Sequence, residues 1–223
     1  MPLLRPIFSL IAVVLLFSLT SYGQVDSVTT AADTSRIEMA SGLFISVDYG
    51  KLATIASEFE SKLEASIGFQ LSNRISPILQ AGYAVLNPAN AFENGIYESS
   101  GYYVKLGVNY LMPLDNTNTI YAGLRYGFSS FEDEGSYQIA SDIFDTYTVN
   151  FGEKDQTATW FELVMGSEKK LRMENLYLGG QLSMRFINTR DKFSPVDSYA
   201  IPGYGRTFDE SIPAVNLYIK YLF

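Results

Sequence analysis

The sequence predicts an all-β fold, an eight-stranded antiparallel transmembrane β-barrel of the outer-membrane type, and three observations predict it. From residue 42 onward, apolar and polar residues alternate with period two. The alternating segments number eight, an even count, and run to about ten residues each, the length of a tilted strand that crosses a bilayer. Their connectors alternate between long and short, as antiparallel hairpins do when one rim of a barrel faces the exterior and the other the periplasm.

The first residues read MPLLRPIFSLIAVVLLFSLTSYGQ. Arg5 supplies a charged start, Ile7 to Leu19 an apolar centre, and Ser21 and Gly23 the small residues before a cleavage site, so residues 1–23 are expected to be a removed signal peptide. Residues 24–41, small and polar without periodicity, read as a flexible periplasmic lead-in. The barrel then occupies 42–223. Its expected strands are 42–50, 62–72, 76–86, 101–111, 119–129, 158–167, 175–187 and 215–223. The long connectors are 51–61, 87–100, 130–157 and 188–214, and the short ones are NRI, MPLDNTN and EKKLRME. With both termini on the short-turn side, the long loops lie outside.

Each strand sorts into two faces. In TIYAGLRYGFS, Ile120, Ala122, Leu124, Tyr126 and Phe128 oppose Tyr121, Gly123, Arg125, Gly127 and Ser129. YYVKLGVNYL and NLYLGGQLSMRF divide the same way, with no charge on the apolar side. A soluble calyx also shows one apolar face, turned inward. Here Gly68, Gly82, Gly107, Gly123, Gly127 and Gly179 all fall on the polar face, which fits a crowded concave interior and turns the large apolar residues out toward lipid. Tyr102 and Tyr110, about 20 Å apart along the barrel axis, suit the two aromatic girdles. The closing NLYIKYLF puts Leu217, Ile219, Tyr221 and Phe223 on the lipid face of a last strand that must pair with the first to leave no open edge in hydrocarbon.

Composition bounds the function. The chain is 47% apolar and 14% aromatic, with ample material for a buried surface, and it has no cysteine and no histidine. Lipid attachment at cysteine, disulfides, thiolate chemistry and histidine-based hydrolysis are excluded. Without Arg5 the basic residues fall from 16 to 15 against 24 acidic, a mature charge of −9 that disfavours nucleic acid as a partner.

The run GYYVKLGVNY, YAGLRYGFSSF, WFELVMG, NLYLGGQLSMRF and IPGYGRTFD resembles the outer-membrane barrels of Bacteroidota grouped as domain-of-unknown-function family 6048, over about residues 42–223. The resemblance implies the barrel and an outer-membrane location, and supplies no functional residues. The terminal strand ending on Phe223 also resembles the C-terminal signal that the barrel-assembly machinery reads.

Carboxylates are the sole acid–base groups left for catalysis, and Asp48, Glu64 and Glu162 face the lumen. Lys105, Arg125, Arg185 and Lys220 share that space, so these seven residues read as an interior salt-bridge network filling a narrow lumen, with Arg125 and Glu162 expected to meet. No catalytic residue, metal site or cofactor is assigned. The loop FEDEGSYQIASDIFDTYTVNFGEKD holds seven acids and one lysine but lacks the acid spacing of a calcium loop, and reads as a solvated, self-repelling loop. In IPGYGRTF, Pro202 and Gly203 suit a type II turn, and Tyr204, Arg206 and Phe208 are candidates for an external tip that contacts a glycan or a protein. The expected role is structural or interactive, an anchor or accessory subunit in contact with outer-membrane lipid that offers loops 130–157 and 188–214 to a partner protein or glycan. The alternatives are a narrow channel or small-ligand barrel, and third an enzyme using carboxylates only.

Overall fold

Period-two alternation in the sequence becomes a ring of eight strands, every one paired to two neighbours. The computed structural model describes residues 40–54, 60–71, 74–88, 94–139, 147–192 and 197–223. The signal peptide and residues 24–39 of the lead-in lie outside the described residues. Ile37–Phe223 form one compact unit.

The elements in chain order are β1 (Gly42–Asp48), α1 (Tyr49–Thr54), β2 (Glu60–Gln70), β3 (Ile75–Leu86), β4 (Gly95–Pro113), β5 (Asn118–Ile139), β6 (Tyr147–Lys170), β7 (Leu176–Arg190), β8 (Ala200–Ile201), β9 (Gly205–Arg206) and β10 (Ser211–Leu222). Strands β1 to β7 and β10 close into an antiparallel barrel in the order β1-β10-β7-β6-β5-β4-β3-β2, while β8 and β9 form a small separate hairpin. Closure is made by β1 against β10, with Phe44 opposite Leu222 and Asp48 opposite Tyr218, and the Phe223 amide donates to the Leu43 carbonyl at 2.8 Å. No backbone edge is left open along this seam, as hydrocarbon requires.

The outer face is an apolar belt. On β5 it reads Ile120, Leu124, Tyr126 and Phe128, all exposed, and on β4 Tyr102, Val104, Leu106, Val108 and Tyr110. Aromatic pairs mark its margin on the side of the long β5–β6 hairpin: Tyr83 with Tyr102 at 4.7 Å and Tyr126 with Phe161 at 5.0 Å between centroids. Above Phe128 the same face of β5 turns polar through Ser130, Glu132, Glu134 and Ser136, and this change marks the upper limit of the belt. On the opposite rim, the Asp115 carboxylate accepts hydrogen bonds from the Thr117 and Asn118 amides (2.6 and 2.7 Å), the Thr117 hydroxyl (2.7 Å) and the Asn118 side chain (2.6 Å). Those donors hold its carboxyl well below the usual range and fix the tight β4–β5 turn.

Lumen glycines work in pairs with rings. Gly68 lies opposite Phe44, Gly82 opposite Tyr103, Gly127 opposite Trp160, Gly166 opposite Tyr121 and Gly179 opposite Tyr218 on the neighbouring strand. A Cβ at any of the five glycines would stand 2.2–2.3 Å from an atom of its partner's ring, too close to be accommodated. Each ring therefore lies flat over bare backbone, which lets an eight-stranded barrel hold five aromatic side chains inside.

Four expectations are corrected. Strand β1 ends at Asp48, and its last expected residues turn into α1. Strands β4, β5 and β6 run to 19, 22 and 24 residues, so much of 87–100 and 130–157 is strand, not loop. Residues 140–146, between β5 and β6 in the sequence and including Asp142 and Asp145, lie outside the described residues. EKKLRME is in part the end of β6, where Glu168 points into the lumen. Finally, β7 continues to Arg190 and β10 begins at Ser211, which shortens the last connector.

Candidate functional site

All seven residues assigned to the lumen network are buried: Asp48, Glu64, Lys105, Arg125, Glu162, Arg185 and Lys220. Alternation places them there, because charged residues at every second position of a barrel strand share the concave face. They form layers.

Nearest the termini, Lys220 forms an ion pair with Glu168, and its Nζ stands 4.8 Å from the Tyr177 ring centroid and 5.1 Å from that of Phe44. Tyr218 donates to Glu168 at 3.0 Å, and its hydroxyl lies 2.8 Å from that of Tyr121. Above this, Arg125 donates to Gln181 at 2.9 Å and more weakly to Asn109 at 3.5 Å.

The central layer is the densest. Glu64 takes Lys105 at 2.9 Å and Lys51 at 2.5 Å, and Asn216 bridges Glu64 (3.2 Å) to Asp48 (2.6 Å). Glu162 takes the Arg185 Nε at 3.1 Å, Lys105 at 3.7 Å and the Trp160 indole N–H at 2.8 Å. Lys105 and Glu162 are both 0% exposed, so each charge depends on these partners.

The expected Arg125–Glu162 contact is corrected. The two are directly opposite in the β5–β6 register, yet no ion pair joins them. A guanidinium on a long stem reaches past its Cα neighbour, and Arg125 crosses to Gln181 on β7. Two further partners escape the sequence reasoning. Glu168 falls within an expected turn, and Lys51 within an expected connector that folds inward as α1. The signal that could have found Glu168 is its period-two spacing from Glu162, Val164 and Gly166 along the lumen face.

The last connector corks the mouth. The Tyr204 amide donates to Ile201 at 3.1 Å, and Gly203 sits at φ +82°, the arrangement of a type II turn with Pro202 and Gly203 at its centre. Tyr204, expected at an external tip, is instead 0% exposed: it packs edge-on to Trp160 at 6.0 Å, and its carbonyl accepts from Arg185 at 2.7 Å. Arg206 and Phe208 do remain outside, Phe208 standing edge-on to Tyr199 at 4.7 Å. The wall behind the cork is the inner face of β4–β6 above the belt. There Asp133 accepts from Gln156 at 3.3 Å, Ser198 donates to Gln156 at 2.6 Å, and the Tyr97 hydroxyl accepts from the Tyr199 amide at 3.1 Å. Burial pushes the Asp133 carboxyl above its usual range, against the polar groups around it, the donating Gln156 amide among them, that pull it down.

Below the cork, the lumen keeps a polar cavity of about 20 Å³, room for about one water molecule. Among the described residues, no three acidic side chains converge as a metal site would require. On the outer face of β10, Leu217, Ile219, Tyr221 and Phe223 are exposed as a single lipophilic row, with Tyr221 and Phe223 at 4.9 Å.

Comparison with solved structures finds similar chains. These include the N-terminal β-barrel domain of OprF from Pseudomonas aeruginosa (11% identity, 82% of this chain and 100% of that one, TM-score 0.43). Neisserial surface protein A is similar at 10% identity, over 82% and 96% of the two chains, with a TM-score of 0.42. A major outer membrane protein from Thermus thermophilus is similar at 14% identity, over 83% and 100%, with a TM-score of 0.46. Identities this low carry no residue role across. No curated protein matches the sequence. The profile of the family described as Domain of unknown function (DUF6048) matches residues 3–223, a span that takes in the N-terminal segment as well as the barrel, and the chain belongs to that family.

Proposed function

We propose that this protein is an integral outer-membrane barrel of structural or interactive role, an anchor or accessory subunit that presents its external strands and loops to a partner protein complex or a surface glycan, with no catalysis of its own. The observation that carries the reading is the contrast between the two faces of the ring. A lipophilic belt surrounds a lumen that, below the cork, has room for about one water, which favours a barrel that sits in hydrocarbon over one that encloses a passage. The rise of β4, β5 and β6 past the belt, with a polar outer face, supports a surface offered beyond the membrane. In this reading outer-membrane lipid contacts the belt, and the barrel-assembly machinery takes the chain through the Leu217, Ile219, Tyr221 and Phe223 row during biogenesis.

Two measurements test it together. The protein fractionates with outer membranes, and the purified barrel adds no discrete steps to the conductance of a planar bilayer. Steps of fixed size would return the narrow-channel alternative, and recovery in the soluble periplasm would remove the anchor. Native pull-down from outer membranes with mass spectrometry then identifies the partner.

A further inference from the structure

Beside the cork and α1, the mouth opens into a cavity of about 450 Å³ whose lining includes Lys51, Lys62, Arg185 and Arg206, with Glu60 as its one acidic residue among those described. An adjoining cavity of about 590 Å³ shares these five and adds Asp209. The chain as a whole has 24 acidic residues against 16 basic, so this local excess of cations runs against its composition.

The four cations are not equally committed. Lys51 and Arg185 point down and are held by Glu64 and Glu162. Among the described residues Lys62 pairs only with Glu60 on its own strand, in a contact that is 26% and 39% exposed on its two sides. A pair this open to water is weak and exchangeable. The Arg206 side chain, on the exposed rim, makes no hydrogen bond or ion pair among the described residues. The same cavity is walled by Tyr199, Leu86 and the edge of Tyr103. Gly205, at φ +121°, brings bare backbone to its margin, where a Cβ would meet nothing nearer than 3.6 Å.

We propose that this mouth cavity binds a small organic anion, a carboxylate or phosphate carried on a sugar-sized body. Arg206 takes the charge through its planar fork, Lys62 exchanges Glu60 for the ligand, and the ring of Tyr199 and the side chain of Leu86 contact the body. The cavity lies within the size range of small-ligand sites and combines apolar walls with a few convergent polar groups, as such sites do. The site goes beyond a presenting role and needs only the folded barrel.

The test titrates refolded protein in detergent with glucuronate, glucose 6-phosphate and glucose, followed by ligand-observed NMR. The two anions bind and glucose does not, and raising the salt weakens both. Arg206→Gln and Lys62→Gln each lower the affinity by about fivefold or more, whereas Lys154→Gln, on the exposed external hairpin, leaves it unchanged. A heat-modifiable band on unboiled gels checks that each variant is folded. Binding of glucose as tight as that of glucuronate, full affinity in the Arg206→Gln/Lys62→Gln double variant, or no anion binding at about 10 mM, weaker than the usual range for small-ligand sites, would each overturn the proposal. None of these outcomes bears on where the barrel resides, so the anchor reading stands or falls separately.

Discussion

Lys105 is the hinge of the lumen network, and replacing it with methionine gives a worked prediction. Its ammonium is 0% exposed and lies 2.9 Å from Glu64 and 3.7 Å from Glu162. At an effective dielectric of about 20, the gross attractions are roughly 6 and 4 kcal/mol, and most of that offsets the desolvation of three buried charges. Removing Lys105 leaves Glu64 with Lys51 and Glu162 with Arg185, so neither carboxylate is stranded outright. The expected cost is therefore about 3 kcal/mol, at the low end for a broken buried pair. A double-mutant cycle with Glu64→Gln should return a coupling of about 1.5 kcal/mol or more. The matching cycle of Arg125→Met with Glu162→Gln should return less than about 0.5 kcal/mol, since these side chains sit opposite in register but bind elsewhere. Unfolding by urea in detergent micelles, read as loss of the heat-modifiable gel band, supplies all the free energies. Equal couplings in the two cycles would refute the assignment of partners, and coupling near zero in both would refute the network.

Four further outcomes are expected. Cysteine at Gln138 is labelled on whole cells by an impermeant maleimide and cysteine at Asn116 is not, because the far end of β5 and the β4–β5 turn lie on opposite rims; reversed labelling inverts the topology. Asp133 favours its protonated form in the folded state, so its contribution to stability is full below about pH 4, the unfolded carboxyl value, and is lost as pH rises through the raised folded value. Asp133→Asn should accordingly raise the melting temperature at pH 7 and leave it unchanged at pH 3.5, and a loss of stability at pH 7 would reverse the sign. Deleting Phe223 removes at most about 1.5–3 kcal/mol of burial, so the refolded truncated barrel remains heat-modifiable while its level in outer membranes falls several-fold; normal levels in cells would reduce the terminal strand to a closing element. Tyr204→Ala empties the cork beneath Trp160, and the single tryptophan should redden its emission as water enters; an unchanged spectrum would mean the cork does not seal the lumen.

The belt was legible because lipid and lumen impose opposite chemistries on alternate residues, as Leu124 beside Arg125 shows. Where the outer face meets water, that contrast fades. Ser130, Glu132 and Glu134 are as polar as an ordinary loop, so the upper halves of β5 and β6 read as one, although Phe131 and Asp133 still point inward. Polarity alternation reports the membrane, not the strand. Seven of the lumen charges were legible from the same two-residue period, but Lys51, Glu168 and the pairing of the whole group were not. Register fixes Cα neighbours to within a few ångströms, while the stems of Arg125 and Lys105 reach across the lumen to other strands. The Pro202–Gly203 turn followed from local backbone preference; the inward burial of Tyr204 depends on Trp160 and Arg185, which no local rule brings to it.

The five rings that lie over glycine make the interior a set of interdependent vacancies. Each aromatic side chain occupies the volume that its opposite number gives up, so neither position can change on its own terms. A methyl group introduced at Gly127 has no room until Trp160 shrinks, and a smaller residue at position 160 leaves a hole until position 127 grows. Descendants of this barrel should therefore exchange size across the strand in matched steps, 82 with 103, 127 with 160, 166 with 121, with the bulky partner sometimes on one side and sometimes on the other. Lumen volume would then be inherited even where the residues that fill it are not.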